Sequence, residues 1–129
     1  MANDAAQHID YCIFEYQYRD AGNWKTFGEL LLSGSCAPDA EARMRRQFES
    51  GDLFVAEQIE VSPLCPEHFE TYGGPSDLDH AYHEFVALRP ATRDEARAMR
   101  IFSTLDALLH RIEATQGIWD VRLSPNCDA

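Results

Sequence analysis

From Tyr11 to Arg19 the chain alternates, with Cys12, Phe14, Tyr16 and Tyr18 on one side and Glu15, Gln17 and Arg19 on the other. A period of two carried by aromatics predicts a half-buried strand. Asp20-Ala-Gly-Asn-Trp-Lys25 reads as a turn, because Gly22 and Asn23 tolerate the positive φ that a tight loop demands. A second strand follows from Phe27 to about Ser33, with Leu30 and Leu32 facing one way and Glu29, Leu31 and Ser33 the other. Two short strands joined by so short a loop predict an antiparallel hairpin. The period then changes. Ala40, Met44 and Phe48 recur every four residues behind Pro38, with Asp39 and Glu41 in the first turn, where the macrodipole favours acids. This predicts a helix closed by Gly51, its Arg43, Arg45, Arg46 and Gln47 facing water.

Leu53 to Val61 reads as a third strand with Leu53, Val55, Ile59 and Val61 on one face. Glu57 is the exception on that face, and a buried carboxylate there needs a partner. A short helix is expected from Pro66 to Tyr72, stopped by Gly73-Gly74-Pro75. Ser76 to Leu88 has two readings: a helix capped by Ser76 and Asp79, or a loop to Asp79 followed by a strand from His80 to Arg89. The strand is preferred, because Phe85-Val86-Ala87-Leu88 runs straight into Arg89-Pro90. Its alternation places Tyr82, Val86 and Leu88 opposite His83 and Phe85. Thr92-Arg-Asp-Glu95 is a capping box for a helix to about Arg100, and Ser103-Thr-Leu-Asp106 repeats the signal. Leu105, Leu108, Leu109 and Ile112 form its apolar stripe, and Gly117 its stop. Trp119, Val121 and Leu123 suggest one more short strand. The expected fold is α+β: two layers, a mostly antiparallel sheet of about four strands with helices on one face.

Composition narrows the function classes. At 129 residues the chain is expected to be one domain, with residues 1–8 and 125–129 as frayed tails. Twenty-two acids against eleven bases give a net charge of −11, and Lys25 is the only lysine. Neutralising phosphates needs clustered Lys and Arg, so neither nucleic acid nor an anionic membrane is an expected partner. No apolar run approaches a membrane span, and the first residues carry neither a basic nor an apolar leader region. Four scattered cysteines (Cys12, Cys36, Cys65 and Cys127) without a CxxC pair then read as reduced thiols of a cytoplasmic protein. Homo-oligomer formation is not readable: an exposed hairpin edge could pair across a two-fold axis or be covered by the chain itself.

The densest polar cluster is Asp77-Leu-Asp79-His80-Ala-Tyr-His83-Glu84. With Cys65 and His68 it has the spacing Cys-x2-His-x11-His-x2-His, four ligand types that can close a tetrahedral metal shell. On a strand, however, His80 and His83 point to opposite faces. The spacing is neither HExxH nor a paired CxxC array. A second reading uses Asp79 or Glu84 to orient His80 or His83 as a general base, with Arg19 and Lys25 as anion binders. No nucleophile elbow, phosphate loop or dinucleotide fingerprint supports a reaction class, so no residue is assigned to catalysis and no cofactor is expected. Trp24, at a turn tip beside Lys25, is the natural candidate for contact with a protein partner.

The segments Tyr16–Lys25, Ala56–Gln58, Gly73–Pro75, Asp79-His80 and His83-Glu84 together resemble a family of small bacterial proteins of unassigned function. The resemblance covers roughly residues 11–125 and brings no activity, cofactor or catalytic residue with it. Cys65 and His68 lie outside its pattern. The leading expectation is therefore a small acidic domain that works by binding a protein partner or a small ligand near residues 73–84. Its candidate binding residues are Trp24, Lys25, Asp79, His80, His83 and Glu84. Acids such as Glu15, Asp20, Glu29, Asp39, Glu41, Asp52, Glu60, Glu67, Glu70, Asp77 and Asp79 would draw in a basic partner. The alternative is a small metal- or histidine-dependent enzyme using His80, His83 and neighbouring carboxylates, with Cys65 and His68 as further ligands.

Overall fold

A computed structural model describes residues 10–125. The tails expected at 1–8 and 125–129 lie outside the described residues except for Pro125, and so does Cys127. Strands β1 (Tyr11–Arg19), β2 (Lys25–Ser33), β3 (Leu53–Val55), β4 (Tyr82–Pro90) and β5 (Ile101–Thr104) form one sheet in the order β3-β4-β1-β2-β5. Helices α1 (Ala40–Gln47), α2 (Cys65–Tyr72), α3 (Arg93–Ala98) and α4 (Leu105–Ala114) complete an α+β fold. The sheet has five strands rather than about four, and it is mixed, since β5 runs parallel to β2. No helix among the described residues is long and apolar enough to cross a membrane.

The hairpin forms as its alternation requires. β1 and β2 pair antiparallel from Tyr11↔Ser33 to Arg19↔Lys25, leaving Asp20–Trp24 as the connection. Tyr16 stands opposite Gly28, where any added Cβ would lie 2.8 Å from the Tyr16 ring, so the glycine makes room for the aromatic. The core face carries Cys12, Phe14, Tyr16 and Tyr18 with Leu30 and Leu32. Met44 and Phe48 from the α1 segment and the α4 stripe cover it. Arg43 on α1 clamps Glu113 on α4 through two hydrogen bonds of 2.9 and 2.7 Å. Ile13 and Leu31, cross-strand partners on the opposite face, are also fully buried. Arg89, in register with Ile13, reaches Glu15, Glu29 and Glu95, tying α3 to that face.

Residues 82–90 form the expected strand, but a register shift against Glu15/Tyr16 alters its faces. Tyr16 pairs with Phe85 and Glu15 with Ala87, so Val86 drops out of the pairing and lies 41% exposed. The bulge turns Leu88 onto the core face with His83 and Phe85, against the simple alternation.

The third strand stops at Val55 instead of continuing to Val61. Ala56–Ile59 tightens into a 3-10 turn, Glu60 takes a left-handed φ of 59°, and Val61 N–H donates back to the Ala56 carbonyl. That turn buries Ala56, Ile59 and Val61 together. One Glu57 carboxylate oxygen is buried without a hydrogen bond, and burial pushes this carboxyl above its usual range. Residues 101–104, expected only to precede a helix, add the parallel strand β5, and the N-cap of α4 is Thr104, not Ser103. Val121–Leu123 is a 3-10 turn, not a strand, and the Trp119 indole N–H anchors the segment on the Gln47 carbonyl.

Candidate functional site

The polar side chains that the fold brings together lie at the turn end of the hairpin. Three pieces of chain meet there: the Asp20–Trp24 turn, the end of α2, and the loop leading into β4. The Asp20 carboxylate shapes the turn by accepting the Trp24 N–H at 3.1 Å, and Ala21 N–H donates to the Leu78 carbonyl. The second Asp20 oxygen lies 2.9 Å from His68 Nε2, and His68 Nδ1 lies 2.8 Å from Thr26 Oγ1. Asp20, His68 and Thr26 are all buried. Burial alone would raise the Asp20 carboxyl, but hydrogen bonds from His68, Trp24 and Gly22 outweigh it and hold the group below its ordinary value.

A second chain of hydrogen bonds runs beside the first. The Tyr18 hydroxyl donates to Asp79 Oδ1 at 2.7 Å and accepts the His80 N–H at 3.1 Å. The other Asp79 oxygen accepts the Ser76 N–H at 2.8 Å. The two chains touch where the Tyr18 ring packs edge-on against His68, with centroids 4.8 Å apart. Burial, then the bond to Asp79, pushes the Tyr18 hydroxyl well above its ordinary value, so it remains a donor.

The histidines of β4 and its approach play separate roles. Tyr82 N–H donates to His80 Nδ1, which places the ring proton on Nε2, where it is donated to the Arg19 carbonyl at 2.7 Å. Both His80 nitrogens are therefore occupied by backbone. His83 points into the core and accepts the Leu64 N–H on Nε2 at 2.9 Å; its Nδ1 is buried without a hydrogen-bond partner. Burial lowers this imidazole to a pKa of about 4. Glu84 turns to the other side, accepting from Gln17 and pairing with Arg19. It shares an open depression of about 510 Å³ with Arg19, Asn23, His80 and Tyr82.

The candidate binding residues thus divide. Asp79, His80 and Glu84 cluster around the end of β1, and His83 belongs to the core. Lys25 contributes its carbonyl, which accepts from the Tyr72 hydroxyl at 3.3 Å. Trp24 stays 58% exposed and packs on Tyr72, itself 45% exposed, with centroids 5.4 Å apart. Leu78, 46% exposed, lies against the same turn, its Cδ1 3.2 Å from the position of a Cβ on Gly22.

Cys65, His80 and His83 do not converge with His68 as one ligand set. Among the described residues, the group whose ligand atoms lie within 4.8 Å of one another is Asp20, His68 and Asp79. Sequence reasoning missed Asp20, Tyr18, Thr26 and Tyr72 as parts of the site. Asp20 carried a weak signal, since an acid opening a turn bonds the backbone ahead of it; Tyr18 reads as strand core, Tyr72 as a helix end, and Thr26 falls between the expected turn and strand.

The acidic surface is also redistributed. Glu15 and Glu29 hold Arg89, Glu41 pairs with Arg45 and accepts the Leu88 N–H, and Asp20 is buried. Glu67, Glu70 and Asp77 are exposed and make no ion pair among the described residues. They flank Tyr72 and Leu78 in the chain. Comparison with family models, with curated proteins and with solved structures brings no match, so the side chains themselves are the ground for a functional reading.

Proposed function

We propose that the protein is a partner-binding module whose contact surface is the exposed Trp24–Tyr72 aromatic pair with the aliphatic Leu78 beside the same turn, and that the partner is a basic polypeptide segment. The observation that carries this reading is the exposed Trp24–Tyr72 pair, mounted on a turn that Asp20 and the Leu78 carbonyl hold in place. Rigid, amphipathic aromatics supply large contact area at low entropic cost and dominate interface energetics. The unpaired acids Glu67, Glu70 and Asp77 supply the charge that selects a basic segment, and an arginine can stack on the indole face. The competing enzyme reading needs a free base at His80 or His83, whereas both His80 nitrogens are taken by backbone groups and His83 is buried in the core, accepting the Leu64 N–H.

Selection of a random peptide display library against the protein tests this. Enriched sequences should be rich in Arg or Lys, and a synthetic peptide of the selected sequence should bind about tenfold or more weakly to Trp24→Ala and to Tyr72→Ala. Far-ultraviolet circular dichroism and melting of the variants should be unchanged. Enrichment of neutral or acidic sequences, or binding that ignores both substitutions, would overturn the proposal.

A further inference from the structure

Beneath that surface, and independently of it, the geometry points to a binding site for a first-row divalent metal ion of the zinc class, with Asp20, His68 and Asp79 as its protein ligands. One imidazole nitrogen and two carboxylate oxygens on three separate chain segments converge within 4.8 Å. A small inward shift of the side chains brings such atoms to the roughly 3.3–3.6 Å edges of a tetrahedral shell with metal–ligand bonds of roughly 2.0–2.2 Å. Nitrogen and oxygen donors of this kind suit zinc, manganese and iron, not calcium, which takes six or more oxygens.

Each ligand is already oriented from behind. Asp79 Oδ1 is held by the Tyr18 hydroxyl and Oδ2 by the Ser76 N–H; Asp20 Oδ1 is held by the Trp24 N–H. His68 Nδ1 meets Thr26 Oγ1 at 2.8 Å. Outer partners of this kind fix ligating side chains in metal sites. Two carboxylates meet here with no Lys or Arg among their hydrogen-bond partners in the described residues, and an imidazole is the only cationisable group between them. A neutral His68 carries one ring proton. On Nε2 that proton is donated to Asp20; on Nδ1 it is donated to Thr26 Oγ1, which leaves the Nε2 lone pair for the metal. Loading therefore needs only the tautomer with its proton on Nδ1. Asp79, the least buried of the three, marks the side from which an ion and a completing water would enter.

The test uses the whole chain freed of metal with a chelator and titrated with Zn²⁺ alone, then with Co²⁺. One equivalent should bind, the thermal midpoint should rise by several degrees, and Co²⁺ should show the visible absorption of a low-coordinate site. In a long-range ¹H–¹⁵N spectrum of the unmutated protein, His68 Nε2 should shift on Zn²⁺ addition while the His80 and His83 nitrogens stay in place. Asp79→Asn and His68→Gln should each weaken binding by about 100-fold, and Thr26→Val by about tenfold through the imidazole it orients. No binding, or binding that leaves the His68 signal unmoved, would overturn the assignment. The spectrum decides even where a buried variant fails to fold, and neither result bears on the peptide selection above.

Discussion

His83 shows how one side chain can serve the fold at a cost that depends on pH. It accepts the Leu64 N–H, which would otherwise be a buried orphan donor, and keeps its own Nδ1–H unpaired in the core. Burial is the main reason its pKa falls to about 4, from an ordinary value near 6.5. The unfolded chain therefore takes up a proton at a higher pH than the folded one. His83's contribution to stability is complete above pH 6.5 and is lost as the pH falls toward 4. The shift amounts to at most about 3 kcal/mol at the acid end of that window. His83→Gln keeps an acceptor for Leu64 and removes the titration. Denaturant unfolding from pH 7.5 to 4 should show the variant losing less stability than the parent, with the gap opening below about pH 6.5. A difference that stays constant with pH would mean that His83 is protonated freely in the folded state.

At the scale of elements, α3 shows how few interactions hold a short helix. It spans six residues, none of them buried, and its start is the reciprocal capping box of Thr92 and Glu95. Thr92→Ala should cost about 1 kcal/mol. Amide exchange should quicken in residues 93–98 while the α4 amides keep their protection; unchanged exchange there would mean that Arg89 alone fixes the helix. This cap was legible because it is a local chemical code, and so were the hairpin, α1 and α4, whose periods are long and uninterrupted. Elements decided by distant chain were not. Nothing local marks Val86 as the residue that leaves the β1 register, or Ile101–Thr104 as a strand whose partner lies some seventy residues earlier. The 3-10 turn at Ala56–Ile59 replaced an apparent strand because curling buries three apolar residues at once. The candidate site was half legible for the same reason. Asp79, His80 and Glu84 stood out as a dense polar run, whereas Asp20, Thr26 and His68 become neighbours only when β1, β2 and α2 meet.

For the whole molecule, the net charge of −11 has two consequences of opposite sign. Arg19, Arg43, Arg45, Arg89 and Arg122 are engaged with acids, and Arg111 bonds the Ile59 carbonyl, so much of the positive charge is committed to the fold. What remains is a surplus of carboxylates that repel one another in the compact state. Salt screens that repulsion, and it also weakens exposed ion pairs, but such pairs contribute little individually while the surplus acts over the whole surface. Raising KCl from about 0.02 M to about 0.5 M should therefore raise the thermal midpoint by a few degrees. The same change should loosen a basic peptide bound at Trp24, because the attraction that selects it is screened by the same ions. Stability and affinity should thus move in opposite directions along one salt series. A midpoint that falls with salt would show that the arginine pairs outweigh the self-repulsion. An affinity indifferent to salt would leave Trp24 and Tyr72 as an apolar contact without charge selection, and would remove the acids Glu67, Glu70 and Asp77 from the recognition surface.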